Sequence, residues 1–148
     1  MMTEVTPLTI FHVREIISKH TKETSPYPEG LTIDAMAAAY LSKGSAAYCL
    51  TIDREPILAA GVMNLGYRRG EAWMLCAPDF NKYIKTCFKV MKQMFPGLCS
   101  MHKFRRVQAT CFNGTETIFK HLGFHKEAEL ECWGPNGETS MMYTRIFK

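Results

Sequence analysis

Residues 105–124, RRVQATCFNGTETIFKHLGF, constrain the fold of this chain more than any other part of the sequence. Val107, Ala109 and Cys111 alternate with polar neighbours, and this period of two predicts a strand with one buried face. Turn residues and a short apolar pattern follow the strand. The stretch is therefore predicted to run as strand, turn, short helix and helix stop.

The short helix carries its own start and stop signals. The side chain of Asn113 can accept a hydrogen bond from the first turn, and Glu116 lies three residues on, as in a capping box. Gly123 stands at the end, where a left-handed backbone costs a glycine little, and Phe124 can turn back onto the helix. The predicted apolar face consists of Ile118, Phe119 and Leu122.

The most strongly periodic helix is predicted over residues 80–95. Apolar residues recur there at steps of three and four, and Pro96 and Gly97 are predicted to end the helix. The apolar positions are Phe80, Tyr83, Ile84, Cys87, Phe88, Met91 and Phe95.

The remaining elements are shorter. One helix is predicted to open at Thr6-Pro7 after a short strand, and a second is predicted to be capped by Thr32. Gly61, inside a strand pattern, predicts a close backbone approach or a bulge. The other predicted strands cover residues 46–52, 56–63, 71–76, 126–133 and 139–146. The element order is then (β)ααβββαβαββ over a single domain, residues 1–148.

Composition narrows the class of protein. With 47% hydrophobic residues and a net charge of +4, the chain is an ordinary globular domain whose charge suits a small anionic ligand and carries no strong nucleic-acid signal. The run 103–106, KFRR, is a small basic patch that reads as a solvated edge or as a contact for an anionic partner. The six cysteines lack zinc spacing, so no metal site is predicted, and they indicate a reducing cytoplasm. We find no signal-peptide pattern, and no apolar run approaches the ~20 residues of a membrane helix.

The strand, the asparagine and the short helix resemble the second half of the acyl-CoA-dependent N-acyltransferase (GNAT) superfamily. In that family the run is roughly V-x-x-x-N followed by an aromatic-x-x-LGF, and here it is Val107, Asn113, Phe119 and the LGF of residues 122–124. The order of elements from about Thr3 to Ile146 is also that of the family. The resemblance implies an α/β (α+β) fold with a GNAT-like mixed, mostly antiparallel sheet flanked by helices.

The resemblance also implies where acetyl-CoA binds. In GNAT enzymes two strands, here residues 71–76 and 105–111, diverge, and the acyl-CoA lies between them and pairs with the backbone of the first. The pyrophosphate rests on the start of the long helix, where unpaired N–H groups and the helix dipole favour an anion. The residues implied in cofactor binding are Met74, Leu75, Cys76, Asn81, Lys82, Asn113 and Phe119.

The loop before the long helix departs from the family pattern. The family usually has glycines there, which let phosphate approach the backbone, whereas residues 77–82 read APDFNK. Asp79 places a negative charge beside the expected phosphates, which Lys82 offsets in part; Asp79 alternatively acts only as the helix N-cap. We therefore expect acetyl-CoA, as the co-substrate, to bind weakly.

Two residues are candidates for the proton transfers of catalysis. GNAT enzymes often carry a glutamate base on the fourth strand, and Glu71 falls there, although it also reads as a solvated strand end beside Arg68 and Arg69. The family often has a tyrosine acid on the short helix, where this chain has Phe119, so Tyr143 on the last strand is the predicted substitute. The implied acceptor is a primary amine that the sequence does not identify.

The glycine-free loop and the phenylalanine of the short helix also resemble small GNAT-like proteins of short-tailed phages, which are encoded with virion-assembly genes. This narrower resemblance implies a second function, that of a non-catalytic protein in virion assembly or host-protein binding, located in the host cytoplasm or the virion. The sequence thus leaves two hypotheses, an N-acetyltransferase and a non-catalytic GNAT-fold protein. It also leaves open whether the chain forms a homodimer.

Overall fold

The fold is that of a computed structural model, which describes residues 1–21, 32–42, 46–111, 116–134 and 136–148. Asn113, predicted above as a helix cap and a cofactor contact, lies outside the described residues, as does Pro135 of the predicted last turn. Within the described ranges, no helix is both long enough and apolar enough to cross a membrane.

Seven strands of the described chain form one sheet. They are β1 (Thr3–Pro7), β2 (Ala46–Ile52), β3 (Glu55–Gly66), β4 (Arg69–Cys76), β5 (Arg106–Cys111), β6 (His125–Leu130) and β7 (Ser140–Ile146). Their order across the sheet is β1-β2-β3-β4-β5-β7-β6. Neighbouring strands are antiparallel except β4 and β5, which run parallel. The predicted mixed, mostly antiparallel sheet is thereby confirmed.

The helices flank this sheet in the predicted order. They are α1 (Ile10–Ser18), α2 (Ile33–Ser42), α3 (Ile84–Met101) and α4 (Glu116–His121), with a 3-10 turn at Phe80–Tyr83 before α3. The predicted cap of α2 is confirmed, because the Thr32 hydroxyl accepts a hydrogen bond from the Ala35 N–H at 3.1 Å.

The predicted start of the first helix at Pro7 is wrong. Pro7 ends β1, an edge strand, where a missing N–H is tolerated. The helix starts at Ile10 because Thr9 provides a better cap. The Thr9 hydroxyl accepts from the His12 N–H at 3.4 Å, and the His12 ring Nδ1 accepts from the Thr9 N–H at 3.2 Å.

The predicted end of the long helix at Pro96 is also wrong, since α3 continues through Pro96 and Gly97 to Met101. A proline inside a helix removes one hydrogen bond and strains the turn before it. Here Phe95 and Cys99, on either side of the proline, are both buried. Burial of this extended apolar face outweighs the local preference to stop, because tertiary packing overrides intrinsic propensity.

One face of the sheet packs against α1. Cys49, Ala59 and Leu75 occupy paired positions on β2, β3 and β4, so their side chains form a row on the same face. Burial raises the pKa of the Cys49 thiol to about 12, and the charges of Glu15 and Lys19, within and just after α1, also act on it. This row therefore lies under α1.

The opposite face packs against α3. Tyr48, Ala60 and Met74 form the adjacent row, one residue along each strand, and their side chains point the other way. Burial, followed by the nearby Cys87 of α3, raises the pKa of the Tyr48 hydroxyl above its usual value near 10. The candidate site lies where the sheet opens, and residues from both faces line it.

Two glycines have the backbone geometry that the sequence predicted. A Cβ on Gly61 would lie 2.5 Å from the Ala46 carbonyl oxygen, so β2 and β3 approach closely there. Gly123 has φ of +84°, which favours glycine. The next residue, Phe124, donates its N–H to the Phe119 carbonyl at 2.9 Å, and the two rings pack at 5.5 Å. Both predictions are confirmed.

Candidate active site

The two parallel strands of the sheet separate part-way along their length. β4 and β5 pair at only three positions, and the last of them joins Glu71 to Gln108. Beyond this point β4 continues to Cys76 and β5 to Cys111 without pairing to each other. The sheet therefore opens toward the carboxyl ends of these two strands, which agrees with the divergence that the resemblance implied.

The backbone groups of β4 that face the opening follow from its hydrogen bonds. The Arg68 carbonyl accepts from the Arg105 N–H at 2.7 Å, whereas the Ala77 N–H donates to a carbonyl of β3 at 2.8 Å. Successive residues of a strand point their backbone groups to alternate neighbours, so the even-numbered residues of β4 face β5. The N–H and C=O groups of Ala72 and Met74 thus point into the opening, as a donor and acceptor ladder for an extended ligand.

A cavity of about 490 Å³ occupies this opening. Strands β3 and β4 contribute residues 60–63 and 71–74, β5 contributes its last two residues, and α3 and α4 close the apolar side. The residues on this part of the wall are Met91, Phe95, Leu98, Ile118, Phe119 and, just after α4, Leu122. The volume and the mainly apolar wall are those of a small-molecule site.

Glu71 lies at the vertex where the two strands begin to separate. It is half-buried and lines the cavity, and it pairs with Met63 on β3 and with Gln108 on β5. Glu71 lies four residues before Leu75 on the same strand, and side chains an even number of residues apart share a face, so Glu71 points to the α1 face with Leu75. The glutamate is therefore part of the cavity wall, more enclosed than the solvated strand end that the sequence also allowed.

Tyr143, the predicted acid, lies behind the wall of the cavity. It is 2% exposed, and its ring stacks on Phe119 with centroids 5.7 Å apart. Burial, aided by Cys111 and Glu116, raises the pKa of the Tyr143 hydroxyl, while Lys126 opposes the change. The hydroxyl thus stays protonated at neutral pH, as a proton donor must, but Phe119 stands between its ring and the cavity.

The structure adds Tyr48, which the sequence analysis did not single out. Tyr48 lines the cavity from β2, and burial keeps its hydroxyl protonated. In the sequence it is one of several apolar and aromatic residues of a strand, and no local pattern distinguishes it. Its place on the wall depends on the pairing of β2 with β3, which sequence spacing does not show.

The residues predicted to bind the cofactor fall into two groups. Met74 and Phe119 line the cavity, whereas Leu75 is buried on the other face and the Cys76 carbonyl accepts a hydrogen bond from the His20 ring Nε2–H at 2.8 Å. Asn81 and Lys82 are exposed in the 3-10 turn that precedes α3.

The start of the long helix fits a phosphate group only in part. Asp79 occupies the N-cap position of the 3-10 turn, but its side chain makes no capping hydrogen bond, so the alternative role as a cap is not supported. The first turn of α3 contains no acidic residue, and Lys82 lies just before it. Within the described residues, no cluster of His, Cys, Asp and Glu could hold a metal ion.

No family model and no curated protein sequence matches the chain. The fold, in contrast, is similar to solved acetyltransferases. Ard1 from Thermoplasma volcanium has a TM-score of 0.77 at 10% identity, and the alignment covers 99% of this chain and 98% of that one. A GNAT-family acetyltransferase from Streptococcus pneumoniae has a TM-score of 0.74 at 9% identity, with coverage of 99% and 100%. Ribosomal-protein-S5-alanine acetyltransferase from Vibrio fischeri has a TM-score of 0.75 at 14% identity, with coverage of 97% and 92%.

These likenesses establish the fold class. The chain has the mixed α/β fold of GNAT acetyltransferases, matched over nearly its whole length. At identities of 9–14% they establish the fold and leave the chemistry to the residues of the site.

Proposed function

We propose that the chain is an acyl-CoA-dependent N-acetyltransferase that moves an acetyl group to a primary amine. The observation that supports this most directly is the separation of β4 from β5 after Glu71. It creates the cavity and leaves the backbone groups of Ala72 and Met74 that face β5 without a strand partner on that side among the described residues. Backbone N–H and C=O groups in such an opening need hydrogen-bond partners, which an extended ligand with amide groups can provide.

The residues of the cavity fit the acyl end of acetyl-CoA better than its phosphate end. The ladder of β4 offers amide donors and acceptors of the kind that pair with the amides of pantetheine, and apolar residues of α3 and α4 cover that position. At the other end, Asp79 opposes the pyrophosphate and Lys82 favours it. We expect weak binding, with Kd on the order of 10–1,000 μM.

Glu71 is proposed as the general base of the transfer. Bound acetyl-CoA supplies the acetyl thioester. Glu71 accepts a proton from the attacking amine, directly or through one water, as the new carbon–nitrogen bond forms and the carbon–sulfur bond breaks. The leaving thiolate requires one proton in return, so that the products are the amide and the thiol. Glu71 then releases its proton to solvent.

Comparison of the two tyrosines is expected to identify the donor of that returning proton. Tyr48 lines the cavity, whereas Tyr143 lies behind Phe119. We therefore expect Tyr48→Phe to lower kcat about 100-fold, and Tyr143→Phe to lower it less. Steady-state kinetics of both variants, with thermal melting as a control for folding, makes the comparison. A larger loss in Tyr143→Phe would favour the residue predicted from the sequence.

The binding of acetyl-CoA tests the proposal and its alternative together. Asp79→Asn removes the opposing charge, and Asp79→Gly also removes the side chain, so both should tighten binding, the glycine variant by more. Asp79→Asn should leave stability unchanged, because the Asp79 side chain makes no capping hydrogen bond, and Asp79→Gly should cost only the backbone entropy that glycine adds to the unfolded chain. Isothermal titration calorimetry measures the three affinities. Glu4→Gln, which removes one negative charge from the exposed edge strand β1, is the matched control.

The alternative is a GNAT-fold protein without catalysis, acting in virion assembly or binding a host protein. The observation in its favour is the glycine-free loop with Asp79 at the phosphate position. Absence of heat from millimolar acetyl-CoA with the wild type and with both Asp79 variants would support this alternative and reject the acetyltransferase. If Glu4→Gln also bound acetyl-CoA more tightly, the effect of the Asp79 variants would be explained by net charge alone.

A further inference from the structure

One end of the sheet concentrates positive charge from three separate segments. The β3–β4 turn and the first residue of β4 bring Arg68 and Arg69, the loop after α3 brings Lys103 and Arg105, and the segment after β7 brings Lys148. Hydrogen bonds join the segments. The Arg68 carbonyl accepts from the Arg105 N–H at 2.7 Å, and the Arg105 carbonyl accepts from the N–H of the residue before Lys148 at 2.8 Å. The Arg68 guanidinium Nε–H donates to the Lys103 carbonyl at 2.9 Å.

These five cations, with Tyr67, form a surface that we name the basic end. All six side chains are exposed. None of the ion pairs in the described part of the chain involves the five cations. The segments 64–70, 101–106 and 145–148 contain no aspartate or glutamate, although Glu71 follows the first of them directly, and the nearby Glu127 is engaged by Arg106 at 2.8 Å. The basic end therefore keeps an excess of positive charge.

An aromatic ring stands among these charges. Tyr67 is 92% exposed, and the Arg69 guanidinium carbon lies 5.7 Å from its ring centroid. The ring gains almost nothing from burial, so packing does not explain a tyrosine at this position. Stacking on exposed rings and on guanidinium planes is how proteins hold the bases of single strands, next to cations that hold the phosphates.

The backbone presents these side chains at a cost. Tyr67 and Arg68 have φ of +52° and +60°, and Lys103 has φ of +55°. A left-handed backbone is unfavourable for residues other than glycine and asparagine, and a two-residue hairpin turn of this kind favours Asn-Gly. A tyrosine and an arginine at these positions lower the stability of the fold, and neither side chain contacts the core. Such strain is typical of positions with a binding role.

We propose that the basic end binds single-stranded nucleic acid, with Tyr67 and Arg69 stacking on bases and the remaining cations contacting phosphates. The basic end lies at the amino-terminal ends of β4 and β5, whereas the cavity opens toward their carboxyl ends. The inference does not depend on the proposed acetyl transfer, because none of the six residues of the basic end lines the cavity.

Fluorescence anisotropy with labelled oligouridylate and oligothymidylate of about 12 nucleotides tests the proposal on the full chain. The triple variant Lys103→Gln, Arg105→Gln, Lys148→Gln should weaken binding about tenfold or more. It should also reduce the slope of log K against log salt by about 0.7 per cation removed, or about 2 in all. The matched control is Lys85→Gln, Lys89→Gln, Lys92→Gln on the exposed side of α3, which has the same change in net charge. An equal loss of affinity in the control would mean that net charge alone explains the effect, and it would overturn the proposal.

A second pair of variants separates binding from folding. Arg68→Gly and Arg54→Gly each remove one arginine with positive φ from a two-residue turn, and Arg54 lies in the β2–β3 turn. Arg54→Gly should raise thermal stability, because glycine relieves the strain, whereas in Arg68→Gly the same gain is offset by loss of the hydrogen bond to the Lys103 carbonyl. Only Arg68→Gly should weaken binding and lower the salt slope. A purely structural role for Arg68 would instead show as lower stability with unchanged binding.

Tyr67→Asn tests the stacking contribution, and we expect it to weaken binding to single strands while stabilising the turn. Three outcomes would overturn the proposal. They are no binding of either oligonucleotide at low salt, stronger binding of a duplex of the same length, and binding of poly-L-glutamate without binding of oligonucleotides. The last outcome would assign the basic end to an acidic protein partner.

Discussion

Glu71→Gln is expected to lower kcat/KM for acetyl transfer by about 10²–10⁴-fold, the usual contribution of a general base. Glutamine has nearly the same shape, so the vertex of the cavity should keep its structure while losing the group that accepts the proton. The affinity for acetyl-CoA should not change, because the ladder of β4 is formed by backbone groups that Glu71 does not supply. Release of the thiol, measured with the most reactive amine of a primary-amine panel, gives the rate.

The matched control for this change is Glu4→Gln, on the exposed edge strand β1, which should leave kcat/KM unaltered. Rates for Glu71→Gln within about threefold of the wild type would exclude Glu71 as the base, since this is far below the usual contribution of such a group. A loss of acetyl-CoA binding in the same variant would mean that Glu71 supports the cavity, and the lower rate would then not be evidence for proton transfer.

Phe95→Ala is expected to destabilise the protein by about 3–5 kcal/mol, a large part of the roughly 5–15 kcal/mol that stabilises a domain of this size. Phe95 is 7% exposed and packs against Phe124 and Phe147, with ring centroids 5.3 and 6.1 Å apart. The Arg145 guanidinium carbon lies 5.7 Å from its ring centroid. Truncation leaves a void among these groups. Chemical denaturation measures the change in the free energy of unfolding.

Phe88→Ala, on the same helix, provides the comparison. The periodicity of residues 80–95 places Phe88 on the apolar face, yet in the structure it is only half-buried and its ring meets His121 at 5.9 Å. Its removal should cost about 1–2 kcal/mol, in proportion to the smaller apolar area that it buries. Equal costs for the two variants, or a larger one for Phe88→Ala, would contradict this assignment of the core.

Much of the fold could be predicted from the sequence, because the signals concerned are local. The alternation of Val107, Ala109 and Cys111 predicts their strand, since every second side chain of a strand faces the core. Gly123 predicts the end of α4 because its backbone conformation is cheap only for glycine. The order of such elements supported the resemblance to the GNAT family, and the mixed, mostly antiparallel sheet that this resemblance implied is confirmed.

The candidate site was predictable only in part. Glu71, Met74 and Phe119 were predicted and lie on the cavity wall, since the resemblance assigns them to strands and helices that the fold does contain. Tyr48 was missed, and Tyr143 lies behind the wall, because access to a cavity depends on how side chains from distant strands pack against one another.

By itself, the sequence determined the type and order of the elements, through patterns that extend over a few residues. The tertiary structure alone decided the rest. It carried α3 past Pro96, because the burial of Phe95 and Cys99 outweighs a local stop signal. It also gathered into one surface the cations of residues 68–69, 103–105 and 148, which are far apart in the chain. Packing and electrostatics depend on distances in space, and the arrangement of strands and helices in the tertiary structure sets those distances.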